Sequence, residues 1–500
     1  MNLSSPARCH PLSLAKSIRP ISAAATLSVT LLTGCSSLQP EYQRPHAPIP
    51  DQYPSAGQNL TLATEKRTTA AWQTFFTDPQ LKTLIEEALQ NNRDLIAAAH
   101  RLKASEAIYG IQKSQRYPEI GVATSITRTK TPADLSFTGS ELDSTTHQVA
   151  ANLSSWEIDF WGRLKSLETS ALHDYLSLES SQRAFQTGLI AQVANAYFAL
   201  REAEQRIALI QKTVATREES YAIFKRRFDI GIISEMDLMQ VETLLKQAQS
   251  LHIQLEQLKE NDLYNLAYLV GKQVDLSPVD NYFNQKTPTL GDLAPGLPSD
   301  LLNHRPDIIA AEHSLKAATA NIGAAKAAFF PNISLTGYAG TASPELSGLF
   351  ASGSAAWSFS PQIYLPIFNA GRNQANLDLS IAQKNQAVAN YEKTVQSAFK
   401  EVSVSLSNNK WLTKQLEILD QTLKIQQRRA ELADLRYQSG ASTYLEVLDA
   451  QRDLLTIEQS VVEARRALTS SKVALYTAIG GNLPQNTPPA AETASTQEKE

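Results

Sequence analysis

Two places in this 500-residue chain carry residues spaced for chemistry. The first is Cys35, which follows Leu32-Thr33-Gly34 at the end of an apolar stretch running from Ile21 to Leu32. Upstream lie Arg8, Lys16 and Arg19, with no acidic residue before the cysteine. A thiol at the end of a cationic leader with a short apolar core is a nucleophile placed for acylation at a membrane surface. The second place is a pair of charged turns. One, at 226–237, gathers Arg226, Arg227, Asp229, Glu235 and Asp237; the other, at 434–449, gathers Asp434, Arg436, Glu446 and Asp449. Such groups do no covalent chemistry; they form ion pairs and set a local potential. The eight histidines are scattered, and no H-E-x-x-H, CxxC, P-loop or G-x-S-x-G pattern occurs. With three methionines, one of them the initiator, a thioether relay for copper or silver has no support. The reading is of a protein that is not an enzyme, with no metal and no cofactor beyond a covalent lipid on Cys35.

The leader is too short to span a bilayer, and Leu32-Thr-Gly-Cys35 matches the bacterial lipobox. Such signals are cleaved before a cysteine that then carries acyl chains, each buried methylene contributing about 0.8 kcal/mol of anchoring. Ser36, where Asp would signal inner-membrane retention, points to outer-membrane release. A plain signal peptide with an incidental cysteine is the alternative. Cys9 leaves with the leader, so no disulfide is expected in the mature chain.

The elements that must position the charged turns are long helices. Charged residues make up 19% and aromatics only 7%, which favours helices with small-residue seams over a large aromatic core. A net charge of −4 gives no electrostatic case for nucleic acid as a partner. Residues 133–277 and 367–483 contain no proline, and no glycine lies between Arg372 and Ser439. A proline costs ~3 kcal/mol inside a helix, so its exclusion marks unbroken helices. Two helices of roughly 65–70 residues, about 100 Å each at 1.5 Å per residue, are predicted.

The chain is also duplicated. Asp94–Ala104 matches Asp307–Ala317 at 8 of 11 positions, and Tyr117-Pro118 aligns with Phe330-Pro331. The register then shortens by four residues and holds through Gly162-Arg163 with Gly371-Arg372, Gly231 with Gly440, and Gly271 with Gly480. Each copy reads as a helix, two strands (Ile120–Lys130 and about 148–158; Ile333–Gly340 and about 355–365), a long helix, a glycine turn and a return helix. Gly231 and Gly440 are placed to end helices in the left-handed region, with Ser234 and Thr443 as N-caps of the next. The predicted layout is a signal peptide (1–34), a lipid-anchored extended segment (35–78), a first repeat (79–271), a linker (272–303), a second repeat (304–481) and a flexible tail (482–500).

The strands are long enough to cross a bilayer when tilted, but four cannot close a barrel. If they enter lipid, subunits must share the barrel, because an open edge leaves backbone groups unpaired. A small soluble sheet on a coiled-coil protein is the alternative from periodicity.

These residues resemble a known family, the TolC-like outer-membrane factors, in their OprM/NodT-type lipoprotein branch. The resemblance covers residues 35 to about 481. It rests on the lipobox, Trp161-Gly162-Arg163, Ala370-Gly371-Arg372 after Leu365-Pro366, Asn303-His304-Arg305-Pro306-Asp307, and Arg436-Tyr-Gln-Ser-Gly440-Ala-Ser-Thr443-Tyr-Leu-Glu446. The first tip, Asp229-Ile-Gly231-Ile-Ile-Ser234, is a looser copy. The resemblance implies a mainly α fold with a small β membrane part: a homotrimer whose long hairpins form an α-barrel joined to a shared 12-stranded β-barrel. It implies the passive exit duct of a tripartite efflux pump for drugs or other toxic small molecules. The partners implied are a periplasmic adaptor, an inner-membrane pump of RND type and outer-membrane lipid.

On that basis Asp434 lines a periplasmic aperture that Arg227 or Arg436 ties closed, with Asp229 nearby. The lip formed by Gly231, Ser234, Gly440 and Thr443 would dock the adaptor. Trp156, Trp161, Trp357, Tyr364 and Phe368 form either a membrane-interface belt or packing at strand ends. A type I-like secretion duct, an adaptor protein and a lipid-tethered scaffold remain as other readings.

Overall fold

The computed structural model describes residues 38–53, 71–277, 279, 282–284, 290–291, 293 and 298–481. The leader, Cys35 and the tail after 481 lie outside the described residues. The chain forms two compact units, one made of the described parts of Met1–Glu41, Gly110–Ser170 and Ala318–Ala382, the other of the remainder.

The first unit contains a four-stranded antiparallel sheet in the order β1 (Ile120–Thr131), β2 (Leu142–Glu157), β3 (Asn332–Ser343), β4 (Ala355–Tyr364). Its middle pairing joins the two halves of the chain, with Ala151 opposite Ala339. Rows such as Ile120–Leu153–Gly337–Phe359 and Val122–Ala151–Ala339–Trp357 form an apolar face. The intervening row Gly121–Asn152–Tyr338–Ser358 belongs to the opposite face. This period of two leaves Ile120, Val122, Trp357, Phe359 and Ile363 exposed within one chain. β1 and β4 are the sheet's edges. β2 starts six residues before the predicted strand because the hairpin continues past its apolar stretch. Arg128–Asp143 (2.6 Å) and Lys130–Glu141 (2.5 Å) tie that extension, which apolar alternation does not register.

The second unit is helical. Asp78 caps α1 (Pro79–Asn91) through Gln80 N at 2.9 Å, with Pro79 at the first helical position. Leu81, Leu84, Ile85 and Ala88 then recur on one face and are buried. They join a core in which Phe75 stacks on Tyr476 at 4.7 Å. Arg201, fully buried, is neutralised by Glu204 at 2.6 Å and also reaches Gln80. Asp78 additionally accepts from the hydroxyls of Tyr197 (2.7 Å) and Tyr282 (2.9 Å). Burial pushes both phenols up.

The other long helices are α2 (Arg93–Ser114), α3 (Arg163–Asp229), α4 (Glu235–Val270), α5 (Pro306–Ala327), α6 (Arg372–Gln438) and α7 (Tyr444–Ala478). The two longest, α3 and α6, have 67 residues each. No helix among the described residues is long and apolar enough to cross a membrane. The duplication is carried into the backbone: the glycine pairs 162/371, 231/440 and 271/480 all have positive φ, between 72° and 94°.

Candidate functional site: the two hairpin tips

Both helical hairpins turn on the same backbone motif. The Ile232 amide donates to Arg227 O (2.9 Å) and the Gly231 amide to Phe228 O (2.8 Å). At the second tip Ala441 donates to Arg436 O (2.8 Å) and Gly440 to Tyr437 O (2.9 Å). This is the Schellman closure, and it needs a left-handed residue at the position Gly231 (φ 75°) and Gly440 (φ 73°) occupy.

The side chains close the two turns differently. Ser234 Oγ accepts from the Asp237 amide at 3.2 Å, and Asp237 accepts from the Ser234 amide at 3.1 Å, a complete capping box. Thr443 corrects the expectation of a cap. It occupies the N-cap position of α7 but makes no side-chain cap bond. The second turn is instead spanned by Arg436 and Glu446 at 3.0 Å.

The predicted aperture residues lie at these tips without converging within one chain. Asp434 accepts from Gln438 Nε2 at 2.6 Å, Arg436 is paired with Glu446, and Asp229 lies 3.9 Å from Lys225. Arg227 donates to the Tyr437 hydroxyl at 2.6 Å, which links the first tip to the second. Among the described residues Asp434 is paired with neither Arg227 nor Arg436.

Two tyrosines that sequence reasoning left without a role organise the junction. The Tyr444 hydroxyl donates to Ser220 Oγ at 2.6 Å, and its ring meets Phe224 at 4.5 Å and Tyr437 at 4.9 Å. Burial pushes the Tyr444 phenol up. Nearby, buried Arg217 donates to Leu244 O at 2.5 Å, and burial lowers its pKa. The available signal was aromatic residues flanking a glycine turn otherwise rich in charge.

Elsewhere, the five expected belt aromatics divide. Trp161 stacks on Phe330 at 4.6 Å and donates to Pro331 O at 2.9 Å, while Trp156 donates to Arg116 O at 3.2 Å. Trp357, Tyr364 and Phe368 are exposed. His313 meets His173, Nδ1 to Nδ1 at 3.1 Å, and burial lowers His173 to about 4.

The profile of the family described as Outer membrane efflux protein matches residues 84–272 and 297–481. The chain belongs to that family. It is 41% identical over 482 residues to the toluene efflux pump outer membrane protein TtgC of Pseudomonas putida, covering 94% of this chain and 98% of that one. A crystal structure of a membrane protein from Pseudomonas aeruginosa superposes with a TM-score of 0.83 at 38% identity, covering 89% of this chain and 98% of that one. The open state of the Neisseria gonorrhoeae MtrE outer membrane channel gives 0.79 at 32% identity, over 89% of this chain and 98% of that one. This efflux protein is accordingly an outer-membrane exit duct of a tripartite efflux system, with a TolC-like fold. It is a conduit, not an enzyme.

Proposed function

We infer that the mature efflux protein is held in the outer membrane by lipid on Cys35 and works as a homotrimer. Three copies supply twelve strands to one barrel, and their hairpins form a periplasmic duct. The observation that carries this reading is the four-stranded sheet, which has one apolar face and two edge strands. Exposed to lipid, those edges would leave backbone groups unsatisfied at several kcal/mol each, which a closed ring of strands avoids. The tips around Gly231, Ser234, Gly440 and Thr443 receive a periplasmic adaptor, and an RND-type inner-membrane pump supplies the work. Small apolar toxic molecules are the proposed cargo; the relative named for toluene efflux supports that class.

In this reading Asp434 recurs three times around the axis and sets cation preference at the aperture. The test is the detergent-corrected molar mass of the protein extracted from outer membranes, followed by single-channel conductance in planar bilayers. Three chains per particle and a conducting pore are expected; a non-conducting monomer would refute the reading. Within a conducting trimer, Asp434→Ala combined with Arg436→Ala should raise conductance and reduce cation preference. Unchanged values would remove the aperture role.

A further inference from the structure

His173, near the start of α3, and His313 of α5 face each other within the helical unit. Their Nδ1 atoms are 3.1 Å apart, and the ring centroids are 5.2 Å apart with the planes inclined by 30°. The centroid separation exceeds the nitrogen separation by about two ring radii, so the rings meet edge to edge. The two nitrogens therefore point at one another rather than at a common third atom. An N–H···N hydrogen bond is the attraction this geometry offers, with one ring donating from Nδ1 and the other accepting.

We propose that this pair is a proton-operated latch between α3 and α5, closed until both rings become imidazolium and then released. The latch lies within one chain and does not depend on the homotrimer reading.

Imidazole chemistry sets the threshold. With both rings neutral, one carries its proton on Nδ1 and the other on Nε2. A first added proton goes to Nε2 of the donor ring and leaves the bridging Nδ1–H in place, now charge-assisted. A second must take the lone pair of the acceptor's Nδ1. That removes the bond and sets two cations against each other at contact distance.

The surroundings do little to hold that second proton. Glu312, next to His313 on α5, is already engaged by Arg44 of the 38–53 segment at 2.6 Å and by Lys316 at 2.9 Å. Glu179 of α3 is taken by Arg183 at 2.7 Å. Lys316 adds a positive charge on the α5 side, 4.9 Å from the ring of Tyr42, whose phenol burial pushes up. Asp174, beside His173, has its carboxyl pushed up by burial, which makes it a poorer source of negative charge in acid. Burial, then His313 and Lys316, bring His173 down to about 4, and burial also lowers His313. Both rings thus bind fewer protons folded than unfolded. Their contribution is intact above the ordinary histidine value of 6.5 and is lost as the pH falls toward 4.

One turn along, Ser177 donates to Ala310 O and meets Ser314 Oγ, both at 2.9 Å, and neither bond titrates. Acid therefore loosens the α3–α5 contact without separating the helices. An outer-membrane duct meets the pH of the medium, so the latch couples its helical unit to external acid. The duplication supplies a control. His100 of α2 is the counterpart of His313, but the counterpart of His173 is Ala382, and His100 is exposed.

The test uses the full-length protein extracted from membranes in mild detergent, taken from about pH 7.5 to about pH 4.5. Deuterium exchange at the imidazole C2–H, read by mass spectrometry, reports each histidine separately. The wild-type His173 should titrate at least about one unit below the ordinary value. Amide exchange of peptides covering 168–178 and 308–318, corrected for the intrinsic rate, should lose about fivefold in protection over the same range. In His173→Gln and His313→Gln that acid-dependent loss should disappear, whatever the protection at neutral pH, whereas His100→Gln should follow the wild type. A His173 midpoint at the ordinary value, a flat wild-type protection profile, or an acid loss that persists in both variants would overturn the latch.

Discussion

The two hairpin tips began as copies and now differ in how they are fastened. Their backbones are equivalent, with the same 6→1 and 5→2 hydrogen bonds around Gly231 and Gly440. Their side chains are not. The first tip is fastened by Ser234 and Asp237, short groups bonded to their own backbone. The second depends on Arg436 and Glu446, two exposed long side chains, and on Tyr444 packed against the first hairpin. The contrast teaches that backbone sterics constrain a duplicated turn more tightly than its capping does. It also makes the second tip the more adjustable one, because an exposed ion pair contributes only ~0–1 kcal/mol and weakens with salt.

The largest test of the difference is Tyr444→Ala. It removes the contacts with Phe224 and Tyr437 and the bond to Ser220, and should cost about 3 kcal/mol. Its counterpart in the first tip, Glu235→Ala, should change little. Hydrogen exchange of peptides covering 220–238 and 430–448 reads both; equal protection losses would erase the distinction. Next, Gly231→Val and Gly440→Val should each cost ~1–2 kcal/mol from left-handed strain, equally at the two tips. An unequal result would show that the shared backbone motif is not equally constrained.

Ser234→Ala should lose ~1 kcal/mol of local stability, seen as about fivefold faster exchange at the start of α4. Thr443→Ala should leave α7 unchanged, since no cap bond exists there to lose. The smallest effect is expected from Glu446→Gln, below ~1 kcal/mol at low salt and vanishing in molar salt. Protection at the first tip should be indifferent to that salt change.

Much of the architecture was legible because it is locally encoded. Proline-free stretches predicted two long helices, and they run Arg163–Asp229 and Arg372–Gln438. Strand positions followed from alternating apolar residues, but the start of β2 did not, because ion pairs extend that hairpin. Thr443 takes the expected N-cap position but makes no side-chain cap bond. Residue type made it eligible, but side-chain orientation decides whether the bond forms. Tyr437 and Tyr444 were not given roles because nothing near them in sequence indicates what they touch. Their partners Arg227 and Ser220 lie 210 and 224 residues away.

The sequence by itself determined where backbone must be helical, where it must turn left-handed, and that one unit occurs twice. Those are short-range steric requirements of proline, glycine and hydrophobic period. Only the tertiary structure decided that β2 pairs with β3 across the two halves of the chain, that Arg227 meets Tyr437, and that His173 meets His313. Such contacts are selected by packing between segments far apart in the chain, where any one residue type fits many neighbours and the assembled helices fix which neighbour it receives.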